Sequence, residues 1–83
     1  MKITLKYFAS IREAIGQGGE TLDTRAATLA ALRDELIARG PVYADSLARG
    51  KAVRMALDQV MVDESAALAE GAEVAFFPPV TGG

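Results

Sequence analysis

The sequence contains no cysteine, no histidine and no tryptophan. The first absence excludes a disulfide, a thiolate nucleophile and a cysteine metal site. The second removes the side chain that most often serves as general base and metal ligand near neutral pH. No metal site is therefore expected, and the chain is not expected to catalyse group transfer alone. Any sulfur it carries cannot sit on a cysteine. A basic cluster is also missing. Nine Lys and Arg stand against eleven Asp and Glu, a formal net charge of −2, which makes nucleic acid a poor partner. No apolar run is long enough to span a bilayer. Strand-like alternation begins at Met1-Lys2-Ile3-Thr4-Leu5-Lys6, leaving no room for a signal peptide before it. The expectation is a cytoplasmic protein without a membrane partner.

What remains is a globular composition, 51% hydrophobic and 24% charged over 83 residues. That length supports one domain with one modest core. Lys2 to Phe8 alternates, with Ile3, Leu5 and Tyr7 on one face and Phe8 on the other, which predicts a half-buried strand. Ser10 and Glu13 have capping-box spacing and predict a short helix through about Ile15, broken by Gly16, Gly18 and Gly19. A second strand is expected near Glu20 to Thr24, its pairing left open. Thr28 is the best N-cap for the main helix. Leu29, Leu32, Leu36 and Ile37 form its apolar stripe, while Arg33, Asp34 and Glu35 read as a solvated face. Gly40-Pro41 is a stop signal. A further helical turn is expected over Tyr43 to Ala48. Strands follow at Val53 to Leu57 and Val60 to Val62, joined by an Asp58-Gln59 turn. A loose turn is expected around Ala66 to Ala69, then a last strand at Glu73 to Phe77. This order fits an α+β, β-grasp plan, with a mixed sheet of about five strands packed on one long helix. In that plan the first and last strands run side by side and parallel at the centre.

The domain should occupy residues 1–77 and an extended tail residues 78–83. Pro78 and Pro79 cannot donate ladder hydrogen bonds, so the last strand should stop at Phe77. The two prolines favour a stiff polyproline II spacer. Gly82 and Gly83 lack a Cβ and can pass a channel too narrow for other residues. A terminal carboxylate on Gly83 is a poor electrophile. It becomes one if it attacks the α-phosphate of ATP to form an acyl-adenylate, and a sulfur or nitrogen nucleophile can then take the acyl group. If Ile3, Leu5, Tyr7, Val74 and Phe76 face the helix, then Phe8, Ala75 and Phe77 face outward, and Met61 joins them. Aromatics and a methionine on an exposed sheet face beside the tail suggest a protein-binding patch.

Gly71 to Gly83, with its Glu73-Val74-Ala75-Phe76-Phe77-Pro78-Pro79-Val80-Thr81-Gly82-Gly83 ending, resembles the C-terminal signature of the molybdopterin synthase small subunit, the MoaD family. Tyr7-Phe8-Ala9-Ser10-Ile11-Arg12-Glu13-Ala14-Ile15-Gly16 resembles the same family's N-terminal stretch. Two positions depart from the pattern. Ala72 stands where Asp is usual and Asp58 where Asn is usual, both at expected turns. The resemblance implies a ubiquitin-like sulfur carrier that is the sulfur-donating subunit of a sulfurtransferase. An activating enzyme (MoeB-like) would adenylate Gly83 with ATP, and a sulfurtransferase would convert Gly83 to a thiocarboxylate. Gly82 would give clearance and Pro78, Pro79, Val80 and Thr81 reach. The loaded carrier would dock on a large subunit (MoaE-like), in a heterotetramer, and pass sulfur to cyclic pyranopterin monophosphate to build the molybdopterin dithiolene. Phe8, Met61 and Phe77 would contact the partner. The chain itself would bind no cofactor. The alternatives are a thiamine-pathway carrier (ThiS-like), a ubiquitin-like protein modifier, and a plain interaction module.

Overall fold

The alternating start of the chain becomes strand β1, Lys2–Tyr7, in which Ile3, Leu5 and Tyr7 turn inward and are buried. It belongs to a computed structural model that describes residues 1–79. Helix α1 follows at Ala9–Ile15. The expected capping box does not form. Phe8 takes the N-cap position with extended backbone and no side-chain hydrogen bond, so Ser10 lies inside the helix. The cause is tertiary. Phe8 N–H donates to Phe76 O, which holds Phe8 on the sheet, and Ala9 then turns the chain through the left-handed region at φ +51°. Gly16 closes the helix at φ +88°, its N–H donating to Arg12 O, as a left-handed C-cap glycine does.

Strand β2, Gly19–Asp23, pairs antiparallel with β1, from Lys2 opposite Asp23 to Lys6 opposite Gly19. Gly19 is required there, because a Cβ would fall 2.6 Å from the Leu5 carbonyl oxygen. Helix α2, Leu29–Ile37, is capped as expected, with Thr28 Oγ1 accepting from Ala31 N–H at 3.2 Å. Its buried stripe holds Leu29, Leu32 and Leu36, and also Arg33. The reading of Arg33 as solvated is therefore wrong. Chain continues past Gly40 into helix α3, Pro41–Leu47, where Pro41 opens the helix instead of ending the helical layer. Pro is pre-organised for that first position.

Strands β3, Arg54–Leu57, and β4, Val60–Val62, form a hairpin. Asp58 and Gln59 sit at φ +49° and +71°, both left-handed, as a tight two-residue hairpin turn demands. The turn is clipped to strand β5, Glu73–Phe77, by Asp58 Oδ1 accepting from Glu73 N–H at 2.9 Å. The linker before β5 differs from expectation. Ala67 bridges to Thr28, and Leu68 N–H donates to Ala27 O at 2.9 Å. Ala66 to Ala69 therefore lies along the start of α2 and is not a loose turn. Gly71, at φ +81°, makes the turn into β5, whereas Ala72 is buried.

The sheet has five strands in the order β2-β1-β5-β3-β4, with β1 and β5 parallel and the other pairs antiparallel. Helices cover one face. Between the layers lie Ile3, Leu5, Tyr7, Val74 and Phe76 from the sheet, with Leu29, Leu32, Leu36 and Leu47 from the helices. Burying each such side chain contributes roughly 1.5–3 kcal/mol. This is an α+β, ubiquitin-like β-grasp fold. The single long helix of the expectation is the nine-residue α2, and two seven-residue helices share its layer. No helix among the described residues is long and apolar enough to cross a membrane.

Candidate functional site

Parallel pairing of β1 with β5 sets Tyr7 opposite Phe76. The next residues along, Phe8 and Phe77, therefore meet on the other face of the sheet. Their rings stack with centroids 4.7 Å apart and planes at 7°. Phe8 remains 40% exposed and Phe77 half-buried. Met61 shares this face. It lies in a row across the sheet in which it opposes Ala56, Ala56 opposes Ala75, and Ala75 opposes Lys6. Met61 is 53% exposed, while Ala75 and Ala56 are buried at 6% and 4%. Ala75 thus faces outward as expected but forms a shielded floor, because its methyl is too short to rise between larger neighbours. Arg54, opposite Phe77, and Lys6, paired with Glu73 at 3.4 Å, stand beside the aromatic stack. An apolar centre with charged residues at its border is the build of a docking surface.

The tail leaves from this place. β5 ends at Phe77, Pro78 is half-buried and Pro79 exposed. Of the sequence-derived site residues, the fold brings Phe8, Phe77 and Pro78 to one corner and keeps Met61 on the same face, two strands from β5. Val80, Thr81, Gly82 and Gly83 lie outside the described residues.

Two polar centres escaped the sequence reading. The first is Glu20, whose Oε2 accepts from Tyr7 Oη and Tyr43 Oη, both at 2.9 Å, and from Gln17 Nε2 at 3.1 Å. Its Oε1 accepts from Arg39 Nη1 at 2.9 Å, and the Arg39 guanidinium also lies 4.8 Å over the Tyr43 ring. Burial pushes the Glu20 carboxyl up, but the bonds from Arg39, Tyr7 and Tyr43 outweigh it and hold the group below its ordinary range. Burial first, and the hydrogen bond to Glu20 second, push the Tyr7 phenol up. With so many donors committed to it, Glu20 ties β2 to β1, to α3 and to the segment between α2 and α3, and is not a free general base. The signal was its phase. Glu20 shares with Leu22 the face of β2 that turns inward.

The second centre is Arg33. Its Nε–H donates to Leu47 O at 2.7 Å, and its Nη2 donates to Ala48 O at 2.6 Å and Lys51 O at 2.9 Å. Nη1 pairs with Glu64 at 3.3 Å. The fork satisfies carbonyls at and beyond the end of α3, which a short helix otherwise leaves unpaired. Here too the signal was spacing, since Arg33 follows Leu29 by four and precedes Leu36 by three, inside the apolar stripe.

The chain matches the family model described as the ThiS family over residues 5–83. It is 38% identical over 81 residues to the molybdopterin synthase sulfur carrier subunits of Haemophilus influenzae and of Escherichia coli, covering 98% of this chain and 99% of each relative. Among solved structures it resembles a chain of the complex of subunits 1 and 2 of molybdopterin-converting factor from Helicobacter pylori. That likeness has a TM-score of 0.69 at 23% identity, over 100% of both chains. The family model spans nearly the whole chain, two carrier subunits match it end to end at 38% identity, and the chain belongs to the ThiS family.

Proposed function

We propose that this chain is the sulfur carrier subunit of a molybdopterin synthase and acts in molybdenum cofactor biosynthesis. The observation that carries this reading is the 38% identity to two carrier subunits along nearly the whole chain. The geometry of the exit strand agrees with it. β5 is central in the sheet and held on both sides, so the residues after Phe77 start from a fixed point. Pro78 and Pro79 project them stiffly.

In this reading an ATP-dependent activating enzyme (MoeB-like) receives the tail. The Gly83 carboxylate attacks the α-phosphate of ATP, pyrophosphate leaves, and an acyl-adenylate results. Sulfide-level sulfur from a sulfurtransferase displaces AMP and leaves a thiocarboxylate on Gly83. Gly82 provides the clearance for both steps. The loaded carrier docks through Phe8, Phe77 and Met61 on a large subunit (MoaE-like), its tail from Pro78 to Thr81 lying in that subunit's channel. The thiocarboxylate sulfur bonds to a carbon of cyclic pyranopterin monophosphate as an oxygen group leaves that carbon, water then cleaves the acyl–sulfur bond, and the carboxylate is restored for another cycle. Acid–base groups and the pterin pocket belong to the large subunit, since this chain has no His and the Glu20 carboxylate already has both oxygens bonded. A heterotetramer of two carriers and two large subunits is the assembly this implies.

Intact mass spectrometry tests the chemistry. Protein purified with its activating enzyme and sulfur donor should show a species about 16 Da heavier, one oxygen exchanged for sulfur. That species should vanish when Gly83 is deleted. Restoration of molybdenum-enzyme activity in Escherichia coli lacking its own carrier subunit tests the pathway. Failure there, with restored thiamine synthesis in a thiamine-carrier mutant, would favour the thiamine pathway. Isopeptide adducts on lysines would favour a protein modifier.

A further inference from the structure

A groove of about 530 Å³ lies at the open end of the β3–β4 hairpin. Arg54 and Met61 line it, and both also belong to the sheet face that carries the aromatic stack. Arg54 stands directly opposite Phe77, and residues opposed across antiparallel strands share a face. Arg33, Arg39 and Arg49 are each engaged by a carboxylate. Arg54 is exposed and has no such partner among the described residues. Lys51, also at the groove, has none either. The two carboxylates of the lining are already bonded, Asp63 to Ser65 at 2.6 Å and Glu64 to Arg33 and Arg49. Positive charge is therefore left over at this place, although the whole chain is net negative.

We propose that the groove takes an acidic side chain of the large subunit, an Asp or Glu whose carboxylate pairs with the Arg54 guanidinium while its stem lies against Met61. The inference rests on the reading that the large subunit docks on Phe8, Phe77 and Met61. Two observations carry it. First, the groove is continuous with that face through Met61 and Arg54. A surface seated on Phe77 and Met61 must also cover Arg54 and strip it of water. Second, nothing at the groove is free to compensate it. A cation desolvated without an acceptor is costly, and with Asp63 and Glu64 committed the acceptor must come from the partner. A carboxylate fits the planar Arg fork with two parallel hydrogen bonds. Lys6, the other cation beside the stack, makes no such demand, because Glu73 already pairs with it. Arg54 thus determines specificity: a partner with Lys or Arg at the facing position is rejected.

The test is calorimetric binding of the full chain to the molybdopterin synthase large subunit of the same source. Arg54→Met should weaken binding about fivefold or more and make affinity fall less steeply as sodium chloride is raised. Arg54→Glu, which sets like charges together, should weaken it about thirtyfold or more. Neither should change the free chain's melting temperature, since Arg54 is exposed at the end of a strand. Arg25 is exposed beyond the opposite edge strand, β2, so Arg25→Glu changes net charge equally and should bind within about twofold of wild type. One Asp or Glu of the large subunit, changed to Lys, should restore the binding of Arg54→Glu. Wild-type affinity in Arg54→Glu, equal losses in Arg25→Glu and Arg54→Glu, or no rescuing acidic position each overturns the pairing. If Phe77→Asp still abolishes binding in those cases, the sheet-face reading stands without it. A wild-type chain that does not bind the large subunit overturns the carrier reading and this inference together. A wild-type chain that sediments as a dimer, and as a monomer after Arg54→Glu, would make the occupant an acidic side chain of a second copy and overturn the assignment to the large subunit.

Discussion

At Glu20 one carboxylate accepts from two phenols, a guanidinium and an amide. Its pKa lies below the ordinary 4.5. The unfolded chain therefore binds the proton more readily than the folded one. The stability Glu20 contributes is present in full above about pH 4.5 and is lost as the pH falls through its lower folded-state value. Tyr7 and Tyr43 are raised above their ordinary 10.0. Their neutral forms are favoured by folding, so that contribution is present below pH 10 and fades as the pH rises beyond it. Urea unfolding across pH should show a plateau between these limits and a fall on each side. Glu20→Gln should lower the plateau by about 1–3 kcal/mol, since donors lose a charged acceptor, and should flatten the acid limb. An acid limb as steep as in wild type would refute the role of Glu20.

Among the elements, α3 is held to α2 by the core packing of Leu47 and by one buried polar side chain, Arg33. Arg33 serves the Leu47, Ala48 and Lys51 carbonyls. Arg49 extends this charge network, pairing with Asp34 at 2.8 Å and Glu64 at 2.6 Å, but at the surface, where such pairs contribute little. Arg33→Met should keep the apolar packing of the stem and strip the donors. A loss of about 3 kcal/mol in denaturant unfolding is expected, from several buried acceptors left unpaired. Hydrogen exchange should quicken over residues 47–53 before it does in β1 or β5. Arg49→Met, by contrast, should cost less than about 1 kcal/mol.

For the whole molecule, the proposed function separates gripping from chemistry. The aromatic stack sits on the outer sheet face, the core on the inner, and the tail begins at their common edge. Phe77→Asp should reduce affinity for the large subunit at least a hundredfold, about 2.7 kcal/mol, because a charge replaces one ring of the stacked aromatic pair beside the tail root. Its melting temperature should fall only slightly, since Phe77 is half-buried outside the core cluster. Deletion of Gly82 and Gly83 should do the reverse. Binding should survive within about tenfold, and sulfur transfer should be lost entirely. Loss of binding and transfer together in both variants would show that the two roles are not separable.

The elements that local pattern dictates were legible in the chain. Alternation placed β1 and β3, because side chains that share one face of a strand recur every second residue whatever lies around them. Thr28 was legible as a cap because its hydroxyl bonds a backbone N–H three residues on. The aromatics of the sheet face could be picked out as well, since Phe8 and Phe77 fall out of phase with the buried residues beside them. Contacts between distant segments decided the rest. Ser10 lost its capping role because Phe76, far along the chain, holds Phe8 N–H. Arg33 is buried because α3 turns unpaired carbonyls toward it, and no property of α2 alone announces where those carbonyls will be. Ala67 is extended because Thr28 offers it a bridge. Phe8 and Phe77 become one stacked surface only through the parallel seam of β1 and β5. Sequence fixes which faces must be buried; where two faces meet depends on long-range pairing, which has no local signature.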